Sequence, residues 1–384
     1  MDFEFSDEQR LLKDSVDRLI GPAYDDLGLR RRTQAEPHGY GEAQWEKYAE
    51  LGILALPFSE EDGGFGGGTV ETMIVMEAIG RGLALEPFMA SIILGGNLIR
   101  LGATPEQRAA LIPHIADGSL RLAFAHTERQ ARYDLHDVTT MARRTGEFYV
   151  LEGDKSVVLH GDSAGKLIVS ARTAGTHRER HGITLFLVDA NAAGVSRRGF
   201  PTQDGVRGAA ISFGSVSVPE SAILGQVDQG ADLIDQVTDI AIAALCAEAV
   251  GAMAALHELT LDYLKTRKQF GVPIGSFQVL QHRSVDMFTA LETARSMEYY
   301  AAMMANSTDR RERRAAISAA KIQINNSAKF LGQAAVQMHG GIGVTMEYRA
   351  GHYFKRLTMI ESQLGDTDHH MRLLDEAGGL LEAA

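Results

Sequence analysis

Along the first third of the chain, apolar positions recur at three- and four-residue steps, beginning with Leu11, Leu12, Val16 and Leu19. That spacing lines one face of an α-helix, so helices are expected from Ser6 to about Ser119. Ser6, followed by Glu8 and Gln9, reads as a capped start, because a hydroxyl there satisfies amides that the first turn leaves open. The run from Gly63 to Gly68 breaks the pattern with a loop that glycine tolerates cheaply. From Leu120 to about Leu224 the period falls to two, as in LIVSA (167–171), ITLFLVDA (183–190) and ISFGSVSVP (211–219). Short alternating strands with glycine-containing turns predict a small β-sandwich or barrel. The helical period returns with Ile234, Val237, Ala241, Leu245, Met253, Leu256 and Leu259. Ser276 is expected to cap the next helix, and Gly340 with Gly341 to end the third. The chain thus divides into a helical unit over 1–119, a β unit over 120–225 and a helical bundle over 226–384.

A length of 384 residues exceeds what one core usually serves, and 45% hydrophobic with 23% charged content is that of a globular chain. The net charge of -12 opposes nonspecific attraction to nucleic acid or anionic lipid, so a phosphate-bearing ligand needs a local basic site. Cys246 is the only cysteine, which excludes an intrachain disulfide and a cysteine-rich metal site. The start carries Asp2 and Glu4 in place of a basic flank, and the apolar stretches read as too short or interrupted to cross a bilayer. A cytoplasmic protein without nucleic-acid or membrane partners is the expectation. Asp366, Asp368, His369 and His370 carry metal-ligand chemistry. Adjacent histidines on a helix point apart, however, and ordinary surface side chains without a metal are expected.

Two segments carry more chemistry. In RKQFGVPIGSFQVLQ (267–281), Arg267 offers a fork of donors suited to pyrophosphate, Phe270 a stacking face, and Gln278 and Gln281 share a helix face. On residue physics alone, an exposed connection with a surface arginine explains the segment equally well. In QMHGGIGVTMEY (337–348), paired glycines let a ligand approach bare backbone, but a helix C-cap explains Gly340 and Gly341 too. The loop at 63–68 lacks the Lys-Ser/Thr ending of a nucleotide loop and reads as a tight interhelical turn.

Together with LGILALPFSEEDGGFGGG (51–68), HTE (126–128) and YVLEGDKSVVLHG (149–161), these segments resemble the acyl-CoA dehydrogenase family in order and over nearly the whole chain. The resemblance implies a helical N-terminal domain, a central β-domain and a C-terminal four-helix bundle, with FAD as cofactor. It assigns Arg267, Phe270, Gln278, Gln337, Gly340 and Gly341 to the ADP half of a flavin lying across a subunit interface. It implies an acyl-CoA substrate, α,β-desaturation, and an electron-transfer flavoprotein or similar acceptor.

The residues for the chemistry itself depart from that family's pattern. Its glutamate base, in a Tyr-Glu-Gly-Thr segment, falls on Leu364 within Gln363 to Asp366, and the second family solution falls near Ala241 and Ile242. None of these side chains accepts a proton. The nearest acids are Glu361, Asp366 and Asp239, and Glu361 stands three residues before Leu364, a spacing that shares a helix face. The Thr-Glu-Pro loop reads Thr127, Glu128, Arg129, and the Lys-x-Trp-Ile-Thr-Asn-Gly segment becomes Lys155 to Gly161, with Val157 for the aromatic and Leu159 for the hydroxyl. The altered residues serve the ring and the base, whereas those for the ADP half remain. That distribution resembles the small-subunit branch of heteromeric members, typified by pimeloyl-CoA dehydrogenase. It implies a heterotetramer with a catalytic chain, or a homo-oligomer. The rival readings are a silent scaffold or CoA-binding subunit and an oxygen-using flavin enzyme on the same fold.

Overall fold

The change of period from helical to alternating and back is realised as helices, strands and helices. The computed structural model describes residues 5–378, so the acidic start at Asp2 and Glu4 lies outside the described residues. First come α1 (Asp7–Ile20), α2 (Leu27–Gln34), α3 (Glu42–Glu50), α4 (Thr69–Gly82), α5 (Asn97–Gly102) and α6 (Pro105–Ala116). The strands are β1 (Leu122–Ala125), β2 (Met141–Thr145), β3 (Phe148–Leu159), β4 (Lys166–Arg172), β5 (Ile183–Asp189), β6 (Val195–Pro201), β7 (Arg207–Pro219) and β8 (Ile223–Leu224). After α7 (Gly230–Thr266) comes a hairpin of β9 (Lys268–Gln269) and β10 (Val272–Pro273), then α8 (Gln278–Met304), α9 (Arg310–His339), α10 (Arg349–Ser362) and α11 (Thr367–Glu376).

Ser6 caps α1 as its sequence suggests: its hydroxyl accepts from the Gln9 amide at 3.2 Å, and the Gln9 side chain accepts in return from the Ser6 amide at 3.0 Å. Ser276 does not cap α8. It sits in a 3-10 turn with its hydroxyl donating to the Pro273 carbonyl at 2.7 Å, and Phe277 precedes the helix without a side-chain cap. The reading of the apolar stretches also needs correction. Helix α7 is long and apolar enough to cross a membrane, but 94% of its most apolar window is buried, as in the core helix of a globular unit.

The contacts divide the chain into two compact units. One comprises Thr33–Gly68 and Leu85–Ala241. Its sheet runs β6-β7-β3-β2-β4-β5-β8, with β1 parallel to β4. Leu151, Val158, Leu167, Val169, Phe186 and Ile211 fill the core of this sheet. Between Lys155 and Val158 the β3–β7 register slips, so three residues of β3 span two of β7. On the helical side of the unit, the Trp45 indole donates to the Gly118 carbonyl at 3.0 Å.

The other unit holds the chain up to Arg32, Thr69–Ala84, and the chain from Ile242 on. Within it α9 packs against α8, α10 and α11. Helices α4 and α7 meet backbone to backbone through reciprocal glycines: a Cβ on Gly80 would stand 1.9 Å from the Glu248 carbonyl oxygen, and one on Gly251 2.0 Å from that of Glu77. Beside this contact Glu298 of α8 is 2% exposed, and its Oε1 has no hydrogen-bond partner among the described residues. Burial, with Glu77 close by, pushes the Glu298 carboxyl well above the usual range, against the weaker pull of Arg295 and Lys13.

Gly251→Ala is expected to destabilise the fold by about 1–3 kcal/mol or more, because backbone on both helices must move apart; a urea melt matching wild type would refute the contact. Glu298 binds its proton more tightly folded than unfolded, so its contribution weakens as pH climbs from the unfolded value of ~4.3 through the raised folded one. Glu298→Gln should therefore be more stable than wild type at pH 7, with the difference vanishing towards pH 4. Melts across that range would show it.

Candidate ligand-binding site

Helix α7 ends at Thr266, and the next residue, Arg267, leaves it with an exposed side chain. The Arg267 amide still donates to Tyr263 at 2.8 Å, and its carbonyl accepts from Ile274 at 2.8 Å, closing the β9–β10 hairpin. At the hairpin tip Phe270 (φ 54) and Gly271 (φ 82) both take the left-handed conformation that a tight two-residue turn requires. Phenylalanine is a costly choice there, and its ring is 93% exposed.

The end of α9 faces the same region. An open cleft of about 510 Å³ is lined by Arg267 and Gln269 from the hairpin, Tyr263 and Ile274 beside it, and Gln337 to Ile342 from the helix end. The structure therefore brings Arg267, Gln337, Gly340 and Gly341 to one cleft, while Phe270 and Gln278 lie outside its lining. The Arg267 guanidinium and the Gln337 amide have no side-chain partner among the described residues. Gly340 caps α9 at φ 64 and ψ -142, a conformation reserved for glycine. Gly341 differs: its φ is not positive and a Cβ would meet nothing within 4 Å, so nothing within the chain requires glycine there. Bare amide backbone, a free guanidinium and a free carboxamide on one open cleft suit a phosphate-bearing ligand such as the ADP half of FAD.

Sequence reasoning missed His339. Its ring lies 4.6 Å from that of Tyr263 and 5.1 Å from that of Tyr348, and its Nδ1 donates to the Ala335 carbonyl at 2.8 Å. Burial lowers its pKa, and Nε2 has no partner among the described residues. Only the folded neighbourhood distinguishes this histidine from a helix-end residue.

The residues that the family resemblance puts at the base positions are placed as follows. Ala241 and Ile242 are fully buried within α7. Leu364 lies beyond the end of α10, at φ 56, so it does not share a helix face with Glu361. Asp366 caps α11, accepting from the His369 amide at 2.8 Å, and Asp239 is fully buried. His370 departs from the expected surface position, being 1% exposed. No group of three or more His, Cys, Asp or Glu side chains is gathered for a metal among the described residues.

In the β unit, Val157 lies on an outer face, 45% exposed, and Leu159 is half-buried. The Ser156 amide donates to the Thr127 carbonyl at 2.9 Å, tying the two segments. Behind them Lys155, 1% exposed, donates to Glu128 at 2.7 Å and to Ser170 at 3.1 Å. Glu128 also accepts from Thr140 through amide (3.0 Å) and hydroxyl (2.7 Å), and from the Thr139 amide at 2.8 Å. Burial alone would raise the Glu128 carboxyl, but Lys155 and the threonines outweigh it and hold it well below the usual range. Burial pulls Lys155 down to about 8 against the opposing effect of Glu128.

Comparison with known proteins gives a consistent result. Family models for the acyl-CoA dehydrogenase N-terminal, middle and C-terminal domains match residues 6–119, 123–216 and 228–378. The chain is 28% identical over 373 residues to the probable acyl-CoA dehydrogenase YngJ of Bacillus subtilis, covering 96% of this chain and 97% of that protein. It is 29% identical to the caffeyl-CoA reductase-Etf complex subunit CarC of Acetobacterium woodii, over 81% of this chain and 82% of the other. Among solved structures, a variant of the Tcur3481-Tcur3483 steroid ACAD superposes with a TM-score of 0.86 at 27% identity, covering 96% of this chain and 97% of that one.

Lys155→Met leaves Glu128 buried without its cation and should destabilise the protein by about 3–5 kcal/mol, measurable by denaturant unfolding. A loss below about 1 kcal/mol would show that the threonines suffice without the ammonium.

Proposed function

Since the chain belongs to the acyl-CoA dehydrogenase family, we propose that it is one subunit of an FAD-dependent enzyme that desaturates an acyl-CoA thioester between Cα and Cβ, with the base supplied by a partner subunit. FAD is the cofactor of this family, and when bound it supplies the acceptor for the hydride from Cβ. The observation that carries the reading is a division within the chain. Arg267, Gln337, Gly340 and Gly341 share a cleft, whereas the two base positions hold Leu364 and Ala241. Arg267 would pair with pyrophosphate through its planar fork, and the backbone at 340–341 would approach the phosphates where no side chain intervenes. Phe270, at the tip of an exposed hairpin, and Gln278, at the start of α8, would engage the same dinucleotide at the subunit interface. A leucine can exclude water and shape a pocket but cannot remove an α-proton.

The chain would act as the small subunit of pimeloyl-CoA dehydrogenase does, with a catalytic chain in a heterotetramer in the catabolism of fatty, dicarboxylic or ring acids. Support for the two-chain arrangement comes from the similar steroid ACAD, whose name joins two proteins, Tcur3481 and Tcur3483. CarC, a subunit of a reductase-Etf complex, supports an electron-transfer flavoprotein as acceptor. The location proposed is the cytoplasm. A homo-oligomer is the alternative assembly, and a silent scaffold the alternative role.

Two measurements test the reading. The chain is purified alone and with a co-expressed partner, and flavin content and acyl-CoA-dependent bleaching are read in each. Bleaching is expected only with the partner; full bleaching by the lone chain rejects the incomplete-subunit reading, and none in either rejects the enzymatic one. Arg267→Ala removes a charge-assisted contact of about 1.5–3 kcal/mol and should weaken FAD retention by about tenfold or more. Gly341→Ala should leave the melting curve unchanged while also lowering FAD retention. Unchanged flavin content in both variants would reject the cleft as its site.

A further inference from the structure

The cleft beside Arg267 lies at the end of a helix that disfavours an anion. Helix α9 runs 30 residues to His339, and the open carbonyls of its last turn carry partial negative charge. The chain as a whole adds a net charge of -12. A phosphate entering there therefore gains from every positive charge placed close to it. Among the described residues that line the cleft, Arg267 alone carries a fixed charge, and His339 alone can acquire a positive one.

The surroundings of His339 suit a proton in every respect but one. Its Nδ1 donates to the Ala335 carbonyl at 2.8 Å, so the neutral ring holds its hydrogen there and a bare lone pair on Nε2. Nε2 is buried without a partner among the described residues, so no bond has to break for it to gain a proton. The rings of Tyr263 and Tyr348, centred 4.6 and 5.1 Å away, attract a cation, as does the helix end itself. Burial opposes all of these. His339 is 3% exposed, and a Cβ on Gly343 would come 2.9 Å from its Cβ, because the turn after α9 folds back over it. Burial outweighs the bond to Ala335 and lowers the pKa, which keeps the ring neutral while the cleft is empty. The other ionisable groups around it are Tyr263 with Arg267 one turn further on, and Tyr348, which burial pushes up with Tyr263 and Asp262 adding to the effect.

We propose that His339 is a further binding residue of this cleft, taking up a proton as a phosphate-bearing ligand enters, so that two positive charges hold the ligand where one stood before. This deepens the dinucleotide reading above and rests on it. The proton comes from solvent, adds to the Nε2 lone pair and returns to solvent when the ligand leaves. A negative charge brought within reach of a buried histidine raises its pKa by about 1–3 units, enough to reverse the effect of burial. Affinity then rises as pH falls through the pKa of the bound state, and levels off below that of the empty state.

ADP-ribose is the probe, because it carries the ADP half without the flavin ring and its pyrophosphate stays fully ionised across neutral pH. The full chain, purified with its co-expressed partner and freed of flavin, is titrated by calorimetry in two phosphate-free buffers of unequal ionisation heat, which reports proton uptake directly. Wild type should bind about tenfold more tightly at pH 6 than at pH 8 and draw a proton from the buffer. His339→Phe keeps an aromatic ring in place, and His339→Asn keeps a donor for the Ala335 carbonyl, but neither has a nitrogen that titrates. Both should bind equally at the two pH values and take up no proton. Arg267→Ala should weaken binding at both while the uptake remains. Wild-type binding without uptake overturns the proposal alone, as does uptake that persists in the two His339 variants. Absence of binding by wild type at either pH rejects the nucleotide reading of the cleft, and this proposal with it.

Discussion

Two helix backbones in direct contact set the frame of the helical unit. Gly80 of α4 and Gly251 of α7 each face a carbonyl of the other helix, at distances that admit no side chain. That contact fixes where Glu248 of α7 lies, and Glu248 pairs with Arg356 of α10 at 2.5 and 2.7 Å, both residues buried. The position of α10 in turn fixes Ile360 and the connection that carries Leu364. A close approach between an early helix and a late one thus propagates, through one buried ion pair, to the segment that carries Leu364.

Buried charge does comparable work in both units. In the sheet, the Lys155–Glu128 pair joins β3 to the segment at 139–140 and, through Ser170, to β4. In the bundle, Lys321 donates to the Ile360 carbonyl near the end of α10 and His370 to the Leu364 carbonyl beyond it. Such groups contribute less net stability than apolar residues of equal volume would, but they define geometry, because each is costly in any arrangement that leaves it unpartnered.

Chemistry and scaffold separate along the same lines. The cleft at 263–342 presents unpartnered polar groups and bare backbone, whereas Leu364, Ala241 and Ile242 are apolar. Asp366 is held by the helix it caps: its carboxylate accepts from the His369 amide at the start of α11.

The sequence by itself determined the order of helical and strand segments, because apolar period follows from the geometry of each element, and it singled out Arg267, Gln337, Gly340 and Gly341 by motif. Only tertiary structure decided which polar residues are buried and what they hold. His370 reads as a surface residue beside His369 and Ser276 as a helix cap, and nothing in the pattern singles out buried Ser318, Lys321 and Asn325. Their roles depend on distances between segments dozens of residues apart, set by packing, and local pattern carries no information about those. Likewise, that Gly251 is required by a neighbouring backbone while Gly341 is left free for a ligand cannot be read from two identical letters, because the difference lies in what occupies the space beside each.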